Sequence, residues 1–154
     1  MSIVIGSDHG GFELKESLRA YLEEQGHQIE DVGCYNQESV DYPDIADRVV
    51  RSILTLKAEK GILICGTGIG MSIAANRHVG IRAALCSEPL SARLSREHND
   101  SNVLILGGRI IGREMALEIL KTWLTTSFSG GRHARRLARC DLSGQGHQEH
   151  GREE

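Results

Sequence analysis

The run best suited to chemistry is Gly61-Ile62-Leu63-Ile64-Cys65-Gly66-Thr67-Gly68-Ile69-Gly70-Met71-Ser72. An apolar stretch ends at a cysteine, and a glycine-rich loop then opens a helix. Glycines let a backbone approach a ligand closely, and N–H groups free at a helix start favour an anion. The same field favours thiolate over thiol at Cys65. A free thiol with a pKa near ~8.5 is roughly 3% ionised at neutral pH, and lowering the pKa towards ~7 would ionise about half. Cys65 is therefore a candidate base or nucleophile; the bland alternative is a small buried residue closing a strand. Three familiar loop chemistries fail on spacing. A Walker loop needs Gly-Lys-Ser/Thr, and no lysine follows Gly70. A dinucleotide fingerprint needs GxGxxG, and this loop reads GxGxG. A cysteine phosphatase needs an arginine where Met71 stands.

Other polar clusters accompany this loop. Asp8 and His9 lie in Gly6-Ser7-Asp8-His9-Gly10-Gly11, and Asp8 reads equally well as a helix N-cap. In Arg96-Glu97-His98-Asn99-Asp100, His98 is a candidate acid or base near physiological pH. The competing reading of that cluster is a solvated helix end with Asn99 as C-cap. Arg109, Arg113, Arg132, His133, Arg135, Arg136 and Arg139 form a basic set. On a helix Arg132, Arg136 and Arg139 share one face, a candidate phosphate clamp or simply a solvated charged surface.

These residues need a frame. The chain has 154 residues, enough for one domain, with 40% hydrophobic and 25% charged residues as in soluble globular proteins. The apolar runs stop at four or five residues, far short of the ~20 that cross a bilayer. No basic segment precedes the first apolar run, so no signal peptide is expected. The four cysteines form no CxxC pair and read as reduced thiols of a cytoplasmic protein. A net charge of -3 and 4% aromatic residues disfavour a nucleic-acid partner. Short β-branched runs predict strands at 2–6, 27–32, 61–65, 81–86 and 103–106. Helical periodicity predicts helices at 12–24, 45–58, 69–76, 89–97 and 113–125. The alternation predicts an α/β fold: a three-layer α/β/α Rossmann-like domain with a five-stranded parallel sheet, spanning 1–142. Residues 133–142 read as a basic helical stretch, and 143–154, with no apolar residue, as a disordered tail. Ligands of such sheets sit beyond the carboxyl ends of the strands, which selects the loops 7–11, 66–70, 87–99 and 107–112.

Taken together, the segments 7–12, Asp41-Tyr42-Pro43, 61–76, Ile81-Arg82-Ala83, 86–89, 98–104, Gly108-Arg109 and Gly130-Gly131-Arg132-His133 resemble one family. They are similar, in order over about residues 3–137, to the type B ribose-5-phosphate isomerases and the related galactose-6-phosphate isomerase subunits. The resemblance implies an aldose–ketose isomerase of the pentose phosphate pathway that uses neither metal nor cofactor. It implies Cys65 as the base that moves a proton between C1 and C2 through an enediolate. Thr67 and the amides of Gly66, Gly68, Ile69 and Gly70 would stabilise the oxyanion, and His98 would open the furanose ring. Asp8, His9, Asn99 and Arg109 would hold the sugar phosphate, with Arg132 and Arg136 on the phosphate. Dimers or tetramers with sites shared between chains are likewise implied. A branch of the family without this cysteine uses a glutamate in the following helix, and Ser72-Ile73-Ala74-Ala75 offers none. An isomerase of a six-carbon phosphosugar and a non-catalytic phosphosugar-binding module remain the rival readings.

Overall fold

The computed structural model describes residues 1–149, and the side chains of residues 1–141. Among the described residues the strands are β1 (Ser2–Ser7), β2 (Gln28–Asp31), β3 (Lys60–Cys65), β4 (Ala83–Leu85) and β5 (Val103–Gly107). The helices are α1 (Phe12–Glu24), α2 (Tyr42–Leu54), α3 (Ile69–Ala75), α4 (Pro89–Glu97), α5 (Arg113–Thr125) and α6 (Arg132–Glu149). All strands are parallel in the order β2-β1-β3-β5-β4, the expected three-layer α/β/α domain.

Alternation along the strands divides the core in two. Ile3, Ile5, Ile62, Ile64, Leu104 and Leu106 pack beneath α1, α4 and α5, with Leu18, Leu22 and Trp123 fully buried. Val4, Leu63, Cys65, Val103 and Ile105 face α2 and α3. Side chains alternate faces along a strand, so each central strand reads as an unbroken apolar run because both its faces are covered. The direction of the chain reverses between β1 and β3: β2 lies outside β1, and every later strand lies beyond β3. The crevice at that switch point opens between the ends of β1 and β3, beside Asp8 and Cys65.

Several boundaries differ from expectation. Helix α2 starts at Tyr42 rather than 45, because Pro43 fits the first turn, where no N–H is needed. It stops at Leu54 rather than 58, and Leu56 turns left-handed at φ 61. Strand β4 is shorter than 81–86, since the Arg82 N–H is drawn off by Asn102 Oδ1 at 2.8 Å. Helix α6 continues to Glu149, past residue 142: once nucleated, a helix adds one bond per residue, and Gly144 and Gly146 weaken it without ending it. Residues 150–154 of the predicted tail lie outside the described residues. No helix among the described residues is long and apolar enough to cross a membrane.

Candidate functional site

Three loops converge where β1, β3 and β5 end. Asp8 N–H donates to Ile64 O at 3.2 Å, Gly108 N–H to Cys65 O at 2.8 Å, and Arg109 N–H to Gly66 O at 2.9 Å. A Cβ at Gly108 would stand 2.9 Å from Gly10 O, so the loops after β1 and β5 touch above the end of β3. That contact leaves room for hydrogen only, and it explains the glycine.

Cys65 is the last residue of β3 and is 5% exposed. Its Sγ accepts the Gly68 N–H at 3.1 Å. Gly68 reaches that position in the left-handed region, φ 81, where a side chain is strained. Thr67 is exposed, and its Oγ1 accepts the Ile69 N–H at 3.2 Å, starting α3. The Arg109 side chain lies along the Gly66 backbone, with Cδ 3.4 Å from where a Cβ would sit. Gly70 lies against the Tyr42 ring, 2.6 Å from that ring for a built Cβ, so α2 backs the loop.

Asp8 does serve as a cap. Its Oδ1 accepts from Gly10 N at 2.9 Å and Gly11 N at 3.2 Å, closing a 3-10 turn at His9–Gly11. Among the described residues its Oδ2 has no hydrogen-bond partner, so one oxygen shapes the loop and the other stays available. His9 is exposed, and its Nδ1 accepts the Val40 N–H at 3.4 Å. The loop carrying Val40 is ordered from beneath: Asp31 Oδ1 accepts the Gly33 N–H at 2.9 Å, and Asp31 Oδ2 holds the fully buried Lys15 ammonium at 2.5 Å. Glu16 is a second partner of Lys15, at 2.9 Å. A buried ammonium is tolerated only with such partners.

His98 and Asn99 lie elsewhere. They follow α4 and precede β5, at the end of the sheet where β3 and β5 begin and Gly61 N–H donates to Asn102 O at 2.9 Å. The five registered pairs from Gly61↔Val103 to Cys65↔Gly107 put roughly 13 Å of strand between this edge and Cys65. One chain thus does not bring His98 to Cys65. The expected C-cap at Asn99 is corrected as well: His98 caps α4, and Asp100 takes the left-handed conformation at φ 44. Asp100 is clamped by Arg96 Nη1 at 2.9 Å on Oδ1 and by Arg82 Nη2 at 3.4 Å on Oδ2, while Arg82 Nε donates to Asp100 O at 2.9 Å. Arg96 is 7% exposed and also donates to Thr126 O and Ser101 O. The charged pair in this cluster is therefore scaffolding, and it presents His98 and Asn99 outward. His98, Asn99, His133, Arg136, Leu137 and Cys140 line a pocket of about 230 Å³. Arg132 and Arg136 sit on exposed faces of α6, and neither has a carboxylate partner among the described residues.

The structure thus separates the candidate residues into two groups: Asp8, His9, Cys65, Gly66–Gly70 and Arg109 at the carboxyl end of the sheet, and His98, Asn99, Arg132 and Arg136 around the start of α6. The sequence profile described as Ribose/Galactose Isomerase matches residues 3–140. The chain belongs to the ribose/galactose isomerase family. Among its relatives in that family, ribose-5-phosphate isomerase B of Escherichia coli is 49% identical over 135 residues, covering 88% of this chain and 91% of the relative. The D-erythrulose-4-phosphate isomerase of Pectobacterium atrosepticum is 43% identical over 133 residues, covering 85% and 87%. A crystal structure of a ribose 5-phosphate isomerase from Thermotoga maritima superposes with a TM-score of 0.90 at 57% identity, covering 92% and 97%. The family fold agrees with the Rossmann-like sheet expected from the alternation of strands and helices.

Sequence reasoning did not find three supports of this isomerase fold's polar loops: Val40 on His9, Tyr42 under Gly70, and the Arg82–Arg96 clamp on Asp100. Asp41-Tyr42-Pro43 was visible as a motif, but its contact with a glycine some thirty positions on has no local signal. Among the described residues no cluster of three His, Cys, Asp or Glu is arranged to hold a metal ion.

Proposed function

We propose that this chain interconverts ribose 5-phosphate and ribulose 5-phosphate, with the Cys65 thiolate as the base. The observation that carries the reading is the buried Cys65 Sγ, 3.1 Å from Gly68 N, in a loop that also presents Thr67 and abuts Asp8 and Arg109. Family membership and the 49% identical Escherichia coli ribose-5-phosphate isomerase B support it. In the forward direction Cys65 takes the proton from C2 of the open-chain aldose, and the electron pair moves to the carbonyl oxygen on C1. A proton from the C2 hydroxyl passes to that oxygen. The thiol then returns its proton to C1, leaving a ketone at C2 and a hydroxyl at C1. Thr67 and the amides of the 66–70 loop face the enediolate. Losing one such donor costs about 10²–10³ in turnover, and a general base contributes about 10²–10⁴. The route asks only for a base, aligned donors and a phosphate handle, all of which side chains and amides of this chain can provide without a metal.

The remaining groups come from a second copy. Since His98 and Asn99 lie at the opposite sheet edge from Cys65, one chain's carboxyl-end loops meet another chain's His98, Asn99, Arg132 and Arg136. His98 then moves the ring proton that opens the furanose, and the arginines hold the phosphate in bidentate fashion. Two variants test the whole reading. Cys65→Ala, which removes the base, is expected to abolish transfer of substrate hydrogen to and from deuterated water while sugar-phosphate binding persists. Wild-type turnover in that variant would overturn it. Mixing Cys65→Ala with His98→Asn chains, each strongly impaired alone on cyclic ribose 5-phosphate, should restore about a quarter of the sites if chains assort at random into two-fold dimers. No restoration would overturn the shared site. The Pectobacterium relative makes tetrose phosphates a necessary arm of the substrate panel, beside five- and six-carbon aldose phosphates.

A further inference from the structure

We propose that His133 is a positioning residue for His98: its imidazole lies face-on against the His98 ring and holds that ring, together with the arginine-bearing helix, in working register. The proposal rests on the ring-opening role of His98 given above. The two ring centroids are 4.3 Å apart and the planes are inclined by only 14°. The His98 backbone is fixed by its own N–H, which donates to Leu94 O at 2.9 Å as the cap of α4. Neither ring nitrogen of His98 has a hydrogen-bond partner among the described residues. An acid–base histidine is commonly oriented by a hydrogen bond on one nitrogen, which costs that nitrogen to the ligand. Here the ring is held by its face, and both nitrogen edges stay open to a sugar.

The same contact sets the helix. Gly130 and Gly131, at φ 67 and 58, form a bend with open space where their side chains would be, so the bend by itself does not fix where α6 points. In the first two turns of α6 Arg132, Arg135 and Arg136 are exposed, while His133 and Leu137 are half-buried. Seating His133 on His98 therefore fixes the azimuth of Arg132, one residue before it, and of Arg136, three after. The charged groups facing His133 are His98 from α4 and Arg132 and Arg136 from its own helix; Cys140 lines the same pocket. Reduced solvation first, and then those three charges, hold His133 below the ordinary histidine value of 6.5. This lowering favours the neutral form of His133 in the stack.

The test uses His133→Ala and His133→Phe in the full chain, since phenylalanine keeps a flat face but neither titrates nor hydrogen-bonds. Turnover is measured on ribose 5-phosphate, which must open its ring, and on D-erythrose 4-phosphate, whose C4 oxygen carries the phosphate and leaves no furanose to open. The alanine variant is expected to lose about 10–100-fold on the pentose and less than about threefold on the tetrose, and the phenylalanine variant to recover most of the loss. Equal losses on both sugars, or phenylalanine no better than alanine, would overturn the proposal. A histidine NMR titration without sugar supplies the second readout. The His133 midpoint is expected below 6.5 and should rise in His98→Gln, where the facing charge is gone. An unmoved midpoint refutes the coupling. Absence of pentose turnover in the wild-type protein would instead overturn the isomerase reading, so the two failures are told apart.

Discussion

Gly68→Ala separates backbone strain from function in one substitution. Gly68 sits at φ 81, and a left-handed non-glycine residue costs about 1–2 kcal/mol. Its Cβ would also lie 2.5 Å from Leu85 Cδ1 and 3.3 Å from Ile105 Cγ2 and the Leu106 backbone carbon. Leu85 is 38% exposed and its tip can swing away, so the packing penalty falls at the low end of about 1–3 kcal/mol. Together these give about 2–3 kcal/mol, a fall in Tm of about 4–12 °C for a domain of this size. The control is Gly26→Ala, with φ 84 but nothing within 4 Å of the built Cβ, which carries the backbone cost alone and is remote from the loops. Calorimetry should show Gly68→Ala the less stable of the two by about 1 kcal/mol. Turnover should separate them much more widely, because Gly68 N–H is the hydrogen-bond donor to Cys65 Sγ, and a displacement of about 1 Å near reacting atoms costs about 10²-fold. If Gly68→Ala melts and turns over like Gly26→Ala, the loop geometry is not what prepares the thiol.

Other consequences can be measured directly. His98→Asn should lose more turnover on cyclic ribose 5-phosphate than on an open-chain analogue, and equal losses would remove the ring-opening role. Arg132→Ala or Arg136→Ala should mainly raise KM, with kcat much less affected; an unchanged KM in both would displace the phosphate clamp. Burial pushes the Cys86 thiol up to about 11, so about 0.1% is thiolate at pH 8. Iodoacetamide followed by mass spectrometry should therefore modify the exposed Cys140 well before Cys86, and the reverse order would contradict the packing. Glu16 lies below its ordinary value of 4.5, chiefly through Arg19 and then Lys15. A lowered carboxylate stabilises the fold above its unfolded pKa and loses that contribution as pH falls through the folded one. Glu16→Gln should accordingly flatten the acid limb of Tm against pH as the pH falls below the ordinary carboxylate value of 4.5.

The sheet was legible because its strands are covered on both faces: Ile62-Leu63-Ile64 and Val103 to Leu106 are unbroken apolar runs that only a buried parallel strand explains. The Cys65 loop was legible for a local reason, since a glycine-rich turn between strand and helix is written in consecutive residues. Strand order was not, and neither was the separation of Cys65 from His98. Both depend on how far the chain travels before it returns, and periodicity carries no trace of that. The Arg96–Asp100 cluster shows the other difficulty. The sequence singles out His98 in this run of five polar residues but does not set Arg96 apart, yet Arg96 is buried to fasten Asp100 and Thr126 O, while Asn99 is left exposed. Tertiary hydrogen bonding decides which polar group is buried as scaffolding and which is left at the surface.

Cys65 terminates the middle one of five strands, with β1 and β5 bonded along either side of it. Fraying of such a sheet starts at its margins, β2 and β4, whose loss leaves the central ladder intact. The Cys65 sulfur is therefore anchored in the part of the molecule that is last to come apart. Heating should therefore displace this sulfur only when the whole fold is lost, whereas drift in the outer strands can reshape the surrounding loops without loosening it.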